Sequence, residues 1–323
     1  MKRKGLIIGG AITAALAGTY FGLGNYFYNY ALRVQKKKVF LEDNPHLALS
    51  KAIDPTIEEQ TKEANKAFRK NHPPRSVTMF STDALQLKLK ADFYPQKETS
   101  SKWAITVHGY TGQAAEMVRW IQQFYEKDFH VLAPDLRGHG KSEGNYIGMG
   151  WHDRKDILGW IDWILARDPE AEIVLFGLSM GAATVMMTSG EELPTNVKVI
   201  VEDCGYSSVR EVFEYQLNDL FGLPPFPVIN AANTVAKIRA GYDLSVASAV
   251  QQVAKSKTPM LFIHGEQDSF VPFEMLDVVY QAAQVDKDRL IIQGAGHGES
   301  AMVSPDVYWK TVWNFVGKYI PVD

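Results

Sequence analysis

Cysteine is nearly absent: Cys204 is the only one in 323 residues. An intrachain disulfide is therefore excluded, as are a four-cysteine zinc site and a Cys-x-x-Cys redox pair. Neither sign of charge dominates. Lys and Arg total 34 against 37 Asp and Glu, for a formal net charge of −3, which gives no general electrostatic attraction for nucleic acid. Internal repeats and low-complexity tracts are missing too. A hydrophobic content of 46% is too high for a disordered chain, and the length allows one large or two ordinary domains with a substantial core.

The long uncharged run lies at the N-terminus. Lys2, Arg3 and Lys4 precede Gly5 to Leu32, a stretch of 28 residues without formal charge, and Arg33, Lys36, Lys37 and Lys38 follow. At 1.5 Å per residue such a helix can cross a ~30 Å hydrocarbon core. Leu6 to Leu23 is its most apolar part, and Asn25 to Tyr30 fits an aromatic belt at the interface. Ala15-Leu16-Ala17 resembles a signal-peptidase site, but the apolar run continues past it, which favours a retained anchor over a cleaved signal. A lipobox is excluded because no cysteine lies near this end. Gly18 and Gly22 form GxxxG, a weak signal in a glycine-rich helix. Basic residues flank both ends, so the positive-inside rule nearly cancels. A short basic head before a long chain favours a single-pass protein of the cell membrane with its main domain on the extracellular face.

Residues 1–32 thus read as head and anchor, 33–75 as a charged stalk or a helix leaning on the domain, and 76–323 as the main domain. Within the stalk, Asp54 at the N-cap and Pro55 at N1 predict a helix to about Arg69, stopped by His72-Pro73-Pro74. From 76 the pattern changes. Ser76–Phe80 and Leu85–Phe93 alternate like an antiparallel hairpin. Trp103–Val107, His130–Ala133, Glu172–Phe176, Val197–Val201, Met260–Ile263 and Leu290–Ile292 read as strands buried on both faces. Helical patterns near Ala114–Glu126, Asp153–Ala166, Met180–Ser189, Phe273–Ala283 and Val307–Tyr319 lie between them. This alternation predicts an α/β fold with a mostly parallel sheet, whose chemistry gathers at the carboxyl ends of the strands.

Gly177-Leu178-Ser179-Met180-Gly181 follows a strand and opens a helix, the setting of a nucleophile elbow. At usages of ~7% for Gly and Ser, G-x-S-x-G arises by chance in roughly one chain in ten of this length, and a serine before a helix also serves as an ordinary N-cap. Context has to decide. A serine hydroxyl needs an imidazole to take its proton. Of the eight histidines, only His264 and His297 follow Ser179. His264 ends a buried strand and reads as structural, whereas His297 lies in a glycine-rich loop, Gly294-Ala295-Gly296-His297-Gly298, beyond the last strand. The orienting acid falls between Ser179 and His297: Asp268 is preferred, with Asp203 and Glu266 as alternatives. For the oxyanion, the loop His108-Gly109-Tyr110-Thr111-Gly112 offers the backbone N–H of Tyr110, and the elbow helix offers that of Met180. His108 is expected to fix its loop rather than react.

Taken together, HGYTG at 108–112, DLRGHGKS at 135–142, GLSMG at 177–181, HGEQD at 264–268 and GAGHG at 294–298 resemble the α/β-hydrolase superfamily over about 76–323. The resemblance implies an eight-stranded, mostly parallel sheet with helices on both faces, a small helical cap inserted after the sixth strand, and a Ser179–Asp268–His297 triad. Head, anchor and stalk further resemble membrane-anchored, fluorophosphonate-reactive serine hydrolases of Gram-positive bacteria. Serine at 179 sets the chain apart from dehalogenases and epoxide hydrolases, whose nucleophile is Asp.

The cap would span about 206–255, with Phe213, Tyr215, Leu217, Leu220, Phe221, Leu223 and Phe226 making it apolar. Those side chains suit an acyl chain over the serine, or simply pack on the main domain. The expected activity is hydrolysis of small carboxylic esters of short or medium acyl length, without cofactor or metal. A peptidase or amidase, or an acyltransferase, would use the same residues, with Glu211, Glu214 and Asp219 available to bind a substrate amine. A membrane-tethered binding protein without activity is the rival of another class.

Overall fold

The computed structural model describes residues 2–34, 44–47, 53, 55–97 and 100–322, with side chains from residue 15 onward. Lys36 to Lys38 and the Asp54 N-cap lie outside the described residues.

Eight strands form one sheet: β1 (Arg75–Phe80), β2 (Lys88–Tyr94), β3 (Lys102–Val107), β4 (His130–Pro134), β5 (Glu172–Leu178), β6 (Val197–Asp203), β7 (Met260–Gly265) and β8 (Lys287–Ile292). Their order is β1-β2-β4-β3-β5-β6-β7-β8. β2 runs antiparallel to β1 and β4, and β3 to β8 are parallel. The inner strands β3 to β7 are apolar on both faces because each face has its own core, whereas β8 at the sheet edge is not buried on both faces as expected: Ile291 is 38% exposed. Ile173 and Leu175 of β5 point into one cluster, Val174 and Phe176 into the other, as the two-residue period of a strand requires.

The helices are α1 (Lys2–Ala31), α2 (Pro55–Asn71), α3 (Val118–Tyr125), α4 (Asp153–Leu165), α5 (Met180–Thr188), α6 (Val209–Phe221), α7 (Pro225–Arg239), α8 (Ala249–Val253), α9 (Glu274–Ala282), α10 (Ser300–Val303) and α11 (Pro305–Val316). Helices α6 and α7 lie between β6 and β7, where a cap after the sixth strand was expected. α2 leans on the domain: Phe68 is buried, with its ring centroid 6.0 Å from Tyr94 and 5.6 Å from Tyr125, and Arg69 donates to Asp92.

The N-terminal helix departs from expectation. Its second half does not stand apart from the domain as an anchor with an aromatic belt, because its aromatic and amide side chains find protein partners. Tyr28 and Leu32 are buried in the same core cluster as Ile147 and Met149. Phe27 and Tyr30 meet the ring of Phe221 edge-on, at 5.3 and 5.2 Å between centroids. Arg239 of α7 donates to Asn25 and Asn29 and lies over the Tyr28 ring. Beyond the helix, Ile147 N donates to Leu32 O at 2.7 Å and Val34 N to Asn145 O. Among the described residues no helix is long and apolar enough to cross a membrane.

Gly24 marks the closest approach of α1 to α7: a Cβ there would lie 2.3 Å from the Ala231 carbonyl oxygen and 3.0 Å from Val235. At Gly22 a Cβ would meet nothing within 4 Å. Gly24→Leu is therefore expected to lower unfolding stability by roughly 1–3 kcal/mol through overpacking, whereas Gly22→Ala raises it by up to ~1 kcal/mol through helix propensity. Denaturant melts of the two variants check this contrast; equal effects at the two positions would contradict the docking.

Candidate active site

Ser179 occupies the turn from β5 into α5 at φ 56° and ψ −117°, a conformation that costs a non-glycine residue energy. Its glycine neighbours make the turn possible. A Cβ on Gly177 would lie 2.2 Å from the carbonyl oxygen of Gly181, and one on Gly181 would lie 2.1 Å from that of Val107. The backbone N–H of Ser179 donates to the Asp203 carbonyl at 2.8 Å, tying the turn to the end of β6. Its side chain makes no cap on α5, so the plain N-cap role is not what this serine performs.

His297 Nε2 lies 2.8 Å from Ser179 Oγ, and His297 Nδ1 lies 2.8 Å from Asp268 Oδ2. Since the carboxylate only accepts, Nδ1 carries the proton and Nε2 is left to accept from the serine hydroxyl. Asp268 is held on every side. Oδ1 accepts the backbone N–H of Phe270 and of Val271, each at 2.9 Å, and Oδ2 also lies 3.2 Å from His264 Nε2. Burial alone would raise the Asp268 pKa. The charge interaction with His297 and the hydrogen bonds from both histidines outweigh it and hold the carboxyl well below the usual range.

The other two candidate acids are elsewhere engaged. Asp203 Oδ2 accepts from the Tyr308 hydroxyl at 2.9 Å, and burial pushes its pKa up to about 6. Glu266 accepts a long bond from Gly294 N in the neighbouring loop.

His108 holds its loop as expected. Nδ1 donates to the Gly109 carbonyl at 2.8 Å and Nε2 accepts from Leu136 N at 3.0 Å, an arrangement only neutral imidazole can make. Burial lowers its pKa to about 4, in agreement. The loop comes close to the serine: a Cβ on Gly109 would lie 3.3 Å from Ser179 Cβ. Tyr110 and Met180, the expected sources of oxyanion N–H groups, line the same pocket as Ser179, and Met180 opens α5, where the first N–H groups have no intrahelical acceptor. The 135–142 turn is a brace, with Asp135 accepting from Ala114 N and Lys141 N.

The pocket over Ser179 is almost wholly apolar. Phe213, Leu217, Leu220 and Phe221 of the cap line it, while Phe226 is 74% exposed and Tyr215 turns its hydroxyl to the Ser269 carbonyl. Among the described residues no carboxylate lines it. Glu211 accepts from Ser207 and Ser208, Glu214 pairs with Arg210, and Asp219 pairs with His46. Two contributors escaped the sequence reading. One is His264, whose four-residue spacing from Asp268 was the available signal. The other is the end of α1, discussed below.

Cys204, Asp268 and His297 place one potential ligand atom each within 4.8 Å of one another. Burial raises the Cys204 thiol well above its ordinary pKa, which keeps it protonated and a poor metal ligand.

A family model described as serine aminopeptidase, S33, matches residues 99–203, from β3 to the end of β6. An uncharacterized protein, YqkD, of Bacillus subtilis (strain 168) is 23% identical over 317 residues, covering 98% of this chain and 97% of its own. An esterase of Pyrococcus furiosus superposes with a TM-score of 0.63 at 22% identity, over 78% of this chain and 94% of that one. The ferulic acid-bound Est1E of Butyrivibrio proteoclasticus does so with a TM-score of 0.58 at 22% identity, over 75% and 98%.

Behind the site, Glu202 is fully buried and accepts from Gly205 N at 3.0 Å. Burial pushes its pKa up to about 8, against ~4.3 when exposed. Between those values folding takes up a proton, so this group makes stability fall as pH rises, by up to about 1.4 kcal/mol per pH unit. Glu202→Gln keeps a neutral side chain of similar shape. Chemical denaturation at several pH values should show a flatter decline for this variant than for the wild type across that window, and an unchanged slope would contradict the assignment.

Proposed function

We propose that this chain is a serine hydrolase of the α/β-hydrolase superfamily that cleaves carboxylic esters of short to medium acyl chains through an acyl-enzyme on Ser179, a reading supported by the sheet order, the family match and the fold shared with the Pyrococcus furiosus esterase. The observation that carries the reading is the hydrogen-bonded run Ser179–His297–Asp268, 2.8 Å at each link, beneath an apolar pocket. In the first step Ser179 Oγ attacks the ester carbonyl carbon and His297 Nε2 takes its proton. Asp268 stabilises the imidazolium that results and keeps the ring in the productive tautomer. The backbone N–H groups of Tyr110 and Met180 are assigned to the oxyanion of the tetrahedral intermediate. Collapse expels the alcohol, which takes the proton back from His297. Water activated by the same imidazole then releases the carboxylic acid.

A peptidase would use the same groups, and the description of the matching family favours it. That match stops before the cap, which lies where selectivity is expected. An apolar pocket without a carboxylate supports ester substrates over peptides with a free amine.

Matched p-nitrophenyl ester and anilide substrates test the choice. The ester is expected to be cleaved far faster, with Ser179→Ala lowering its kcat by at least ~10⁴-fold and Asp268→Asn by a similar factor. An anilide preferred over the ester would favour the peptidase reading. Full activity of folded Ser179→Ala would remove the mechanism altogether.

A further inference from the structure

Helix α1 ends at the site, and its last turns line the same pocket as Ser179. Phe27, Tyr28, Tyr30 and Ala31 all contribute, and Leu32 follows. From Ser179, Met180 and Tyr110 at the edge of the sheet, the lining continues to Phe27, Phe221 and Ile229. Those last three belong to a small apolar cluster formed by α1, α6, α7 and Leu223 between the last two. The lining therefore starts at the acylated atom and leads into a region whose wall on one side is the N-terminal helix. Among the contacts that fix the helix there are the tight crossing at Gly24 and a hydrogen bond from the Tyr110 hydroxyl to the carbonyl of Ala31. Tyr110 stands in the loop beside Ser179, so the end of α1 and that loop hold one another in place.

We propose that α1 is a wall of the acyl-binding pocket, and that Phe27 and Tyr30, set edge-on against Phe221, determine the acyl length that fits. The proposal rests on Ser179 being the acylated nucleophile. Its chemistry is that of an unbranched aliphatic acyl chain. The lining offers carbon surface to every methylene, each worth about four-fold in binding when buried, and carries no charged group.

Two experiments on the full chain test it. A fluorophosphonate bearing a diazirine on its alkyl chain reacts at Ser179: the oxygen–phosphorus bond forms, fluoride leaves, and His297 takes the serine proton. Irradiation then marks what the chain touches. Crosslinks are expected in the tryptic peptide 5–33, on residues 27–32. The second experiment compares p-nitrophenyl esters from two to sixteen carbons in wild type and in Phe27→Ala. Removing the ring opens room for two or more further methylenes, so the ratio of kcat/KM for long over short esters is expected to rise by about ten-fold or more. Ala232→Phe, which fills the pocket from α7, is expected to lower that ratio.

Crosslinks confined to other peptides, together with an unchanged chain-length profile in variants that still label at Ser179, would overturn the role of α1 and leave the hydrolase reading standing. Absence of label on Ser179 in folded wild type would overturn the hydrolase reading, and the proposal with it.

Discussion

The tight contact between β5, α5 and β3 is the constraint on which the site depends. Gly177 and Gly181 leave no room for a Cβ, the nearest backbone atoms being 2.2 and 2.1 Å from where one would sit. That closeness forces the chain to reverse sharply and strands Ser179 at φ 56°. The cost of the strained residue is met by core packing on both sides, for every residue of α5 is buried. The benefit is positional. Ser179 stands on a rigid turn at the carboxyl edge of the sheet, and β7 and β8 bring Asp268 and His297 to it from the same edge.

Around this fixed point, polar groups are graded by burial. Asp268 accepts from the backbone of Phe270 and Val271 and from His297, with His264 Nε2 3.2 Å away, and is held ionised, whereas Glu202 and Asp203, one strand away and equally buried, accept fewer hydrogen bonds and are pushed toward their neutral forms. Asp268 is thereby the carboxylate that holds its negative charge most firmly next to the imidazole. His264 matters here because it shares Asp268 with His297, and so helps decide which carboxylate carries that charge.

Much of this was legible in the residues. All eight strands overlap the predicted segments: β1 and β2 showed as an alternating hairpin, and the inner parallel strands as continuous apolar runs, because strands covered on both faces must be apolar throughout. Chain order left His264 and His297 as candidate bases and Asp203, Glu266 and Asp268 as candidate acids; Asp268 was preferred for its place just beyond a strand, and the hydrogen bond of the His297 imidazole runs to Asp268. That the second half of the N-terminal helix docks on the domain was not legible for a physical reason: hydropathy measures a preference for leaving water and does not distinguish lipid from an apolar protein surface. Asn25 and Asn29 accept from Arg239 of α7, which also covers the Tyr28 ring, only once the chain has folded. Which cap side chains face the pocket was likewise undecided from composition. Phe213, Leu217, Leu220 and Phe221 share one face at helical spacing, whereas Phe226 lies near the start of the next helix and points to solvent.

The central claim is that the elbow presents an activated serine. Its most direct test is active-site titration with a fluorophosphonate, followed by mass-spectrometric mapping of the adduct in wild type and Ser179→Ala. The account predicts one phosphonyl group per wild-type chain, carried on Ser179, and none on the variant. Folded wild type that takes up no label, or label that persists in Ser179→Ala, would contradict it.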